Sequence, residues 1–140
     1  MHLVFRINQA QAVVYECLTD AQKFAEVHPV IYKAEKISAH QYLMYERLGI
    51  GILSCPFSYP VEILSNSAEQ SVEMKAVVMK TVAIEIKFSL TTEGNYTIVN
   101  EDVTFKSWLP LSGIMGIIFK KYHRQLFENI EQIQNAPTLY

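Results

Sequence analysis

The chain has 140 residues, half of them hydrophobic and 19% charged, with a formal net charge of −2. That profile fits one globular domain spanning 1–140, and its scattered lysines and arginines exclude a nucleic-acid surface. The start, Met1-His2-Leu3-Val4-Phe5-Arg6, lacks the charged and apolar regions of a signal peptide, so a cytoplasmic location is expected.

His2 to Asn8 alternates, with Leu3, Phe5 and Ile7 on one face, and predicts a half-buried first strand. From Gln9 the period changes. Ala10, Val13, Val14, Cys17 and Leu18 recur at helical spacing, and Thr19-Asp20 offers a cap for a second short helix through Phe24 to Val27. His28-Pro29 ends that helix, because proline disfavours the helical conformation in the residue before it.

From Val30 to Trp108 the sequence predicts only strands, at Ile31 to Ser38, Gln41 to Leu48, Phe57 to Leu64, Ser71 to Met79, Val82 to Thr91 and Tyr96 to Trp108. Their parity is readable. Phe57, Tyr59, Val61 and Ile63 share a face, as do Val82, Ile84, Ile86, Phe88 and Leu90, while Glu73, Lys75, Glu85 and Lys87 oppose them. One face is therefore buried and the other wet, as in an antiparallel sheet. Glu93-Gly94-Asn95 suits a hairpin turn, and Gly49-Ile50-Gly51-Ile52-Leu53 is an apolar loop or bulged strand with no partner assigned.

Pro110 stops the sheet, and a long final helix is expected from about Ser112 to Gln134, closed by Asn135-Ala136-Pro137. Its second half is amphipathic, with Tyr122, Leu126, Phe127, Ile130 and Ile133 in one stripe. Its first half is apolar almost all round. Leu111, Ile114, Met115, Ile117, Ile118 and Phe119 spread over an arc of roughly 200°, wider than a surface helix needs. The run is too short to cross a bilayer, so protein, a partner or a hydrophobic guest must cover it.

A seven-stranded antiparallel sheet with one apolar face curls under its own twist, and its concave face has to be filled. The final helix is long enough to lie there. This α+β order, with Phe5-Arg6-Ile7-Asn8, Val14-Tyr15-Glu16-Cys17-Leu18-Thr19-Asp20, Phe24 before His28-Pro29-Val30-Ile31, and Asp102-Val103-Thr104-Phe105, resembles the helix-grip fold of the START/Bet v 1-like (SRPBCC) superfamily, in its bacterial polyketide cyclase/dehydrase-like branch. Where many members carry Trp before the His-Pro pair, this chain has Glu26-Val27, which would reshape a cavity mouth. The resemblance implies a cavity for a lipid, polyketide or similar apolar molecule between sheet and helix. Some members are enzymes and many only bind and carry.

Three residues stand out as candidate chemistry. Glu101 shares parity with Val99, Val103 and Phe105, and Glu46 shares parity with Tyr42, Met44 and Leu48. Carboxylates on an apolar face must be neutralised, paired or aimed at a guest, and two in one cavity would suit acid and base roles in a cyclisation or dehydration. A β-bulge or a projecting strand end would instead bring both acids to water or to Lys and Arg. His28, at a helix end, would bond a guest's oxygen, shuttle a proton or cap backbone groups. His123 and Arg124 read as solvated residues on the polar half of the last helix. The expected cavity wall is Ile114, Met115, Ile118, Phe119 and Tyr122 on the helix, with Met74, Phe88 and Phe105 opposite. Gly113 and Gly116 would let the helix approach the sheet or leave room for a guest. No ligand spacing among the histidines or cysteines, phosphate loop or dinucleotide fingerprint is present, so neither metal nor cofactor is expected. The leading expectation is binding of a small hydrophobic or amphipathic ligand. The alternatives are a cyclase or dehydratase using cavity carboxylates, and a protein- or membrane-docking module of quinone-binding type without stable membrane insertion.

Overall fold

The computed structural model describes residues 1–50, 53–107 and 112–134. Its elements run β1 (His2–Ile7), α1 (Gln11–Thr19), α2 (Ala21–Val27), β2 (Ile31–Lys36), β3 (Gln41–Ile50), β4 (Leu53–Asn66), β5 (Ser71–Val78), β6 (Val82–Glu93), β7 (Tyr96–Ser107) and α3 (Ser112–Glu131). The strands form one antiparallel sheet in the order β1-β7-β6-β5-β4-β3-β2. Chain-adjacent strands are neighbours throughout, except that β1 joins the far edge beside β7 and the two short helices carry the chain across to β2. This is the helix-grip arrangement expected from the element order, and the sheet is not closed.

Local chemistry sets the elements. Asp20 caps α2, its Oδ1 accepting from the backbone N–H groups of Gln22 (3.0 Å) and Lys23 (3.1 Å). Gly94 turns the last hairpin at φ +61°, where a side chain would be strained. The Gly49–Leu53 segment resolves into the end of β3 and the start of β4, with Gly49 opposite Ser54 and Ile50 opposite Leu53. Gly51, Ile52, Trp108, Pro110, Leu111 and the expected stop at Asn135-Ala136-Pro137 lie outside the described residues.

Strand β4 is longer than Phe57 to Leu64 because Pro56 and Pro60 sit inside it. Its pairing with β5 begins only at Val61 opposite Ala76, so among the described residues 53–60 pair with β3 alone. Prolines are tolerated where one side of a strand makes no ladder bonds. At the β5–β6 turn, Met79 (φ 53°) and Lys80 (φ 59°) are both left-handed, at about 1 kcal/mol or more apiece for non-glycine residues.

Two parts of α3 behave differently. Leu126, Phe127 and Ile130 are buried in the curl, against a core that includes Val14, Leu18, Phe88 and Val99. The side-chain amide of Gln9 donates to the carbonyls of Ile130 (3.1 Å) and Ile133 (2.8 Å), satisfying acceptors that a helix end leaves open. The apolar first half is not covered by the protein on several sides: Ile114 is 62% exposed, Ile117 73% and Ile118 42%. No close approach demands the helix glycines either. A Cβ built on Gly113 meets nothing within 4 Å, and one on Gly116 meets only Met1 Sδ at 3.6 Å.

Candidate functional site

Between the concave face of the sheet, α2 and the first two-thirds of α3 lies a partly open cavity of about 310 Å³. The helix is seated at its C-terminal half, where Leu126, Phe127 and Ile130 are buried, and the space beside its other half is left unfilled. The inward parity of β3 to β6 supplies apolar walls, among them Met44, Val61, Ala76, Ile84 and Ile86. That volume is within the usual range for small-molecule sites.

Most of the residues expected at the site meet here. Met74 and Phe105 line the cavity from the sheet, and Met115, Ile118, Phe119 and Tyr122 from α3. Two do not line it. Phe88 has the right parity but is fully buried behind His123, its ring parallel to the imidazole at 6.1 Å. Ile114 points to solvent on the uncovered flank of the helix.

Polar groups cluster at one region of this wall. His28 lines it while also capping the turn, its Nδ1 accepting from the N–H groups of Val30 (3.2 Å) and Ile31 (3.1 Å). Those two bonds fix the tautomer: Nδ1 holds the lone pair and Nε2 holds the proton. Burial, and next the nearby His123, push the His28 pKa well below the ordinary histidine value, so the ring is neutral at physiological pH. Glu46 lines the same cavity and accepts a hydrogen bond from the Tyr59 hydroxyl at 2.8 Å. Burial raises the Glu46 pKa, against the lowering effects of Tyr59 and His123. The Tyr59 hydroxyl is pushed well above its ordinary value, first by burial and then by Glu46.

Glu101 is fully buried, and it neither lines the cavity nor meets water, Lys or Arg. Among the described residues a register shift lies between Ile31 and Lys33 on β2, and the register of Glu101 with β1 and β6 is intact. Its partner is His123. Nδ1 of His123 stands 2.6 Å from Glu101 Oε2, but off the line of a hydrogen bond, so neither carboxylate oxygen nor Nδ1 has a hydrogen-bond partner among the described residues.

His123 itself is a correction to the sequence reading: it is 4% exposed and lines the cavity. Its ring is clasped by Phe119, centroids 3.8 Å apart, and stands edge-on to His28 at 6.2 Å. The signal was available. Phe119, His123 and Phe127 lie four residues apart, one stripe of the helix, and residue type obscured the spacing. Tyr59 was likewise visible on a buried parity, where a hydroxyl requires a partner.

Cys17 is buried and its thiol is pushed up to about 11, chiefly by burial and then by Glu16, which makes it unreactive; Cys55 is exposed on β4. Among the described residues, no group of three or more His, Cys, Asp or Glu side chains is arranged to hold a metal ion, and no helix is long and apolar enough to cross a membrane.

A curled antiparallel sheet gripping a C-terminal helix over a part-filled cavity defines the START/Bet v 1-like class of proteins. Within it, the chain belongs to the CoxG family of carbon monoxide dehydrogenase subunits, whose model matches residues 4–132. No curated protein matches the chain in sequence. Among solved structures it is similar to a START superfamily protein from Mycobacterium smegmatis, with 14% identity over 96% of this chain and 98% of that one and a TM-score of 0.75. It is also similar to Ara h 8.0201, with 13% identity over 94% and 93% of the chains and a TM-score of 0.74. The di-domain ARO/CYC BexL from the BE-7585A biosynthetic pathway gives a TM-score of 0.81 at 9% identity, over 97% of this chain and 47% of BexL, so the chain spans about half of that protein. Identities this low carry the fold and nothing finer.

Proposed function

We propose that the protein reversibly binds a small apolar or amphipathic molecule, such as a lipid or polyketide, in the cavity between sheet and α3. The observation that carries this reading is the composition of the wall, apolar on most sides with His28, Glu46, Tyr59 and His123 gathered in one part of it. The body of the guest lies along Met44, Met74 and Ile86, and its oxygen-bearing end meets the Nε2–H of His28 or the Glu46 carboxyl group. Native mass spectrometry of freshly purified protein, followed by denaturing extraction, tests the reading directly. A co-purifying small molecule supports it. Phe119→Trp places extra volume in the cavity and should weaken binding of anilinonaphthalene sulfonate by about tenfold while leaving the melting temperature unchanged. An unchanged affinity in that titration removes Phe119 from the wall of the site.

The cavity mouth favours a second reading, docking on an anionic lipid surface. Ile118 and Met79 border the cavity and are exposed, Ile114 and Ile117 continue the apolar patch, and the exposed Lys80, Lys120 and Lys121 flank it. Each lysine near such a surface contributes about 1 kcal/mol. Co-sedimentation with vesicles containing phosphatidylglycerol, lost in pure phosphatidylcholine and in Ile117→Glu, is the expected result. Equal recovery with both lipids contradicts it.

A further inference from the structure

Glu101 is more than a cavity for passive cargo requires. Its neighbours in the sheet are Leu3, Phe88, Val99 and Val103, all buried. Packing at such a position is served by an apolar side chain, and replacing a buried ion pair by hydrophobic residues is often neutral or stabilising. The carboxylate cannot reach a guest, because it has no exposed surface and the cavity wall in front of it is His123. What it can do is act through that ring. Though off the line of a hydrogen bond, a carboxylate oxygen 2.6 Å from Nδ1 sets negative charge beside that nitrogen, which favours the tautomer with its proton on Nδ1 and leaves the Nε2 lone pair free. Among the described residues Nε2 has no hydrogen-bond partner, and it is not among the buried unpartnered atoms, so it is the ring nitrogen left open to the cavity. Phe119 stacks on the imidazole with centroids 3.8 Å apart, and the Phe88 ring lies parallel to it at 6.1 Å. Across the cavity wall His28 offers the complementary group, an Nε2–H donor fixed by two backbone N–H bonds to its other nitrogen.

We propose that His123, positioned by Glu101, is a general base for proton transfer on a carbonyl-bearing guest whose oxygen is held by His28. This rests on the cavity reading above and adds an activity to it. In the step, His123 Nε2 takes the proton from the carbon next to the carbonyl. The C–H electron pair becomes the carbon–carbon double bond of the enolate, and the carbonyl π pair moves to oxygen, where it accepts the hydrogen bond from His28 Nε2–H. Return of the proton from Nε2 to the same carbon regenerates the ketone, and delivery to the far end of a conjugated system isomerises it. Atoms and electrons balance without an oxidant, a reductant or a second substrate. Glu101 is a positioning residue, and His28 and His123 are the groups that touch substrate. The titratable groups facing His123 are Glu101 on β7, Glu46 on β3 with Tyr59 on β4 bonded to it, and His28 just after α2.

The test uses β-tetralone, a bicyclic ketone small enough for the cavity, in D2O. Proton NMR reads both its binding, by line broadening, and exchange of its α-protons for deuterium. Wild-type protein should accelerate exchange at least tenfold over buffer. His123→Gln should return the rate to that of buffer. Glu101→Gln should keep binding but lower the rate severalfold and move the midpoint of its pH profile, a readout that a purely structural carboxylate would leave alone. His40→Ala, at an exposed turn, should match wild type. Because a lone substitution in a buried pair can unfold the domain, the double variant Glu101→Leu/His123→Phe supplies the control, expected to fold, bind and not exchange. Exchange that persists in the folded double variant overturns the proposal, as does saturated binding by wild type with exchange at the buffer rate. Failure of β-tetralone to bind at all contradicts the cavity reading itself and takes the activity with it.

Discussion

The two halves of α3 have similar apolar content and opposite fates. From Leu126 to Ile130 the helix is sunk in the sheet and its end is tied by Gln9, whereas from Ile114 to Ile118 isoleucines stand in solvent beside an open cavity. The difference teaches that apolar residues in a helix measure what the helix can bury, and not what its own chain covers. A narrow stripe finds a complementary surface in a domain this size. An arc of roughly 200° outruns it, and the surplus stays exposed beside the cavity.

Substitutions that treat the halves alike would erase the contrast. The largest expected effect is Leu126→Ala, which should cost about 3 kcal/mol in urea denaturation because the site is sealed and a cavity is left behind. Ile117→Ala should stay within about 0.5 kcal/mol of wild type. Equal losses would mean that the first half is covered after all.

A smaller effect comes from pH, through the histidine between the seated core and the cavity. The pKa of His28 is depressed, so as pH falls the unfolded chain takes up a proton there before the native one does. The contribution is complete above about 6.5 and drains away below it. Glu46 acts in the opposite sense, its raised pKa costing stability as pH rises above about 4.5. The His28 share is therefore read as the difference between wild type and His28→Asn, whose amide oxygen can still accept from the Val30 and Ile31 N–H groups. Parallel stability profiles for the two proteins would contradict the assignment. The smallest effect sharpens the picture of the exposed half: Gly116→Ala, with only an ordinary contact to Met1, should raise stability by about 0.5–1 kcal/mol in thermal melts.

Much of the fold was legible because alternation and helical periodicity are enforced by burial itself. Boundaries slipped where other physics intervened. Strand β4 reads from sequence as starting at Phe57, since Pro56 looks like punctuation until the one-sided pairing of that stretch is known. The inward direction of Glu101 and Glu46 followed from parity alone, but their partners did not, because strand periodicity says nothing about which helix residue stands above. Residue type alone sends His123 to solvent, although its spacing puts it on the buried stripe. Phe88 shows the converse limit: parity puts a ring on the inner face, and only the third dimension reveals that another ring stands in front of it.

One detail of β4 has a consequence for life at high concentration. The Arg47 N–H bonds to the carbonyl of Val30, just before β2, so the Arg47–Pro56 pair makes no ladder bonds between β3 and β4, and the backbone nitrogens of Ser54, Pro56, Ser58 and Pro60 face the side where β5 is missing. Two of those four positions carry no hydrogen to donate. A stray extended peptide looking for a strand to template on finds every second N–H rung absent, so this unpaired stretch of β4 is poorly suited to seeding self-association.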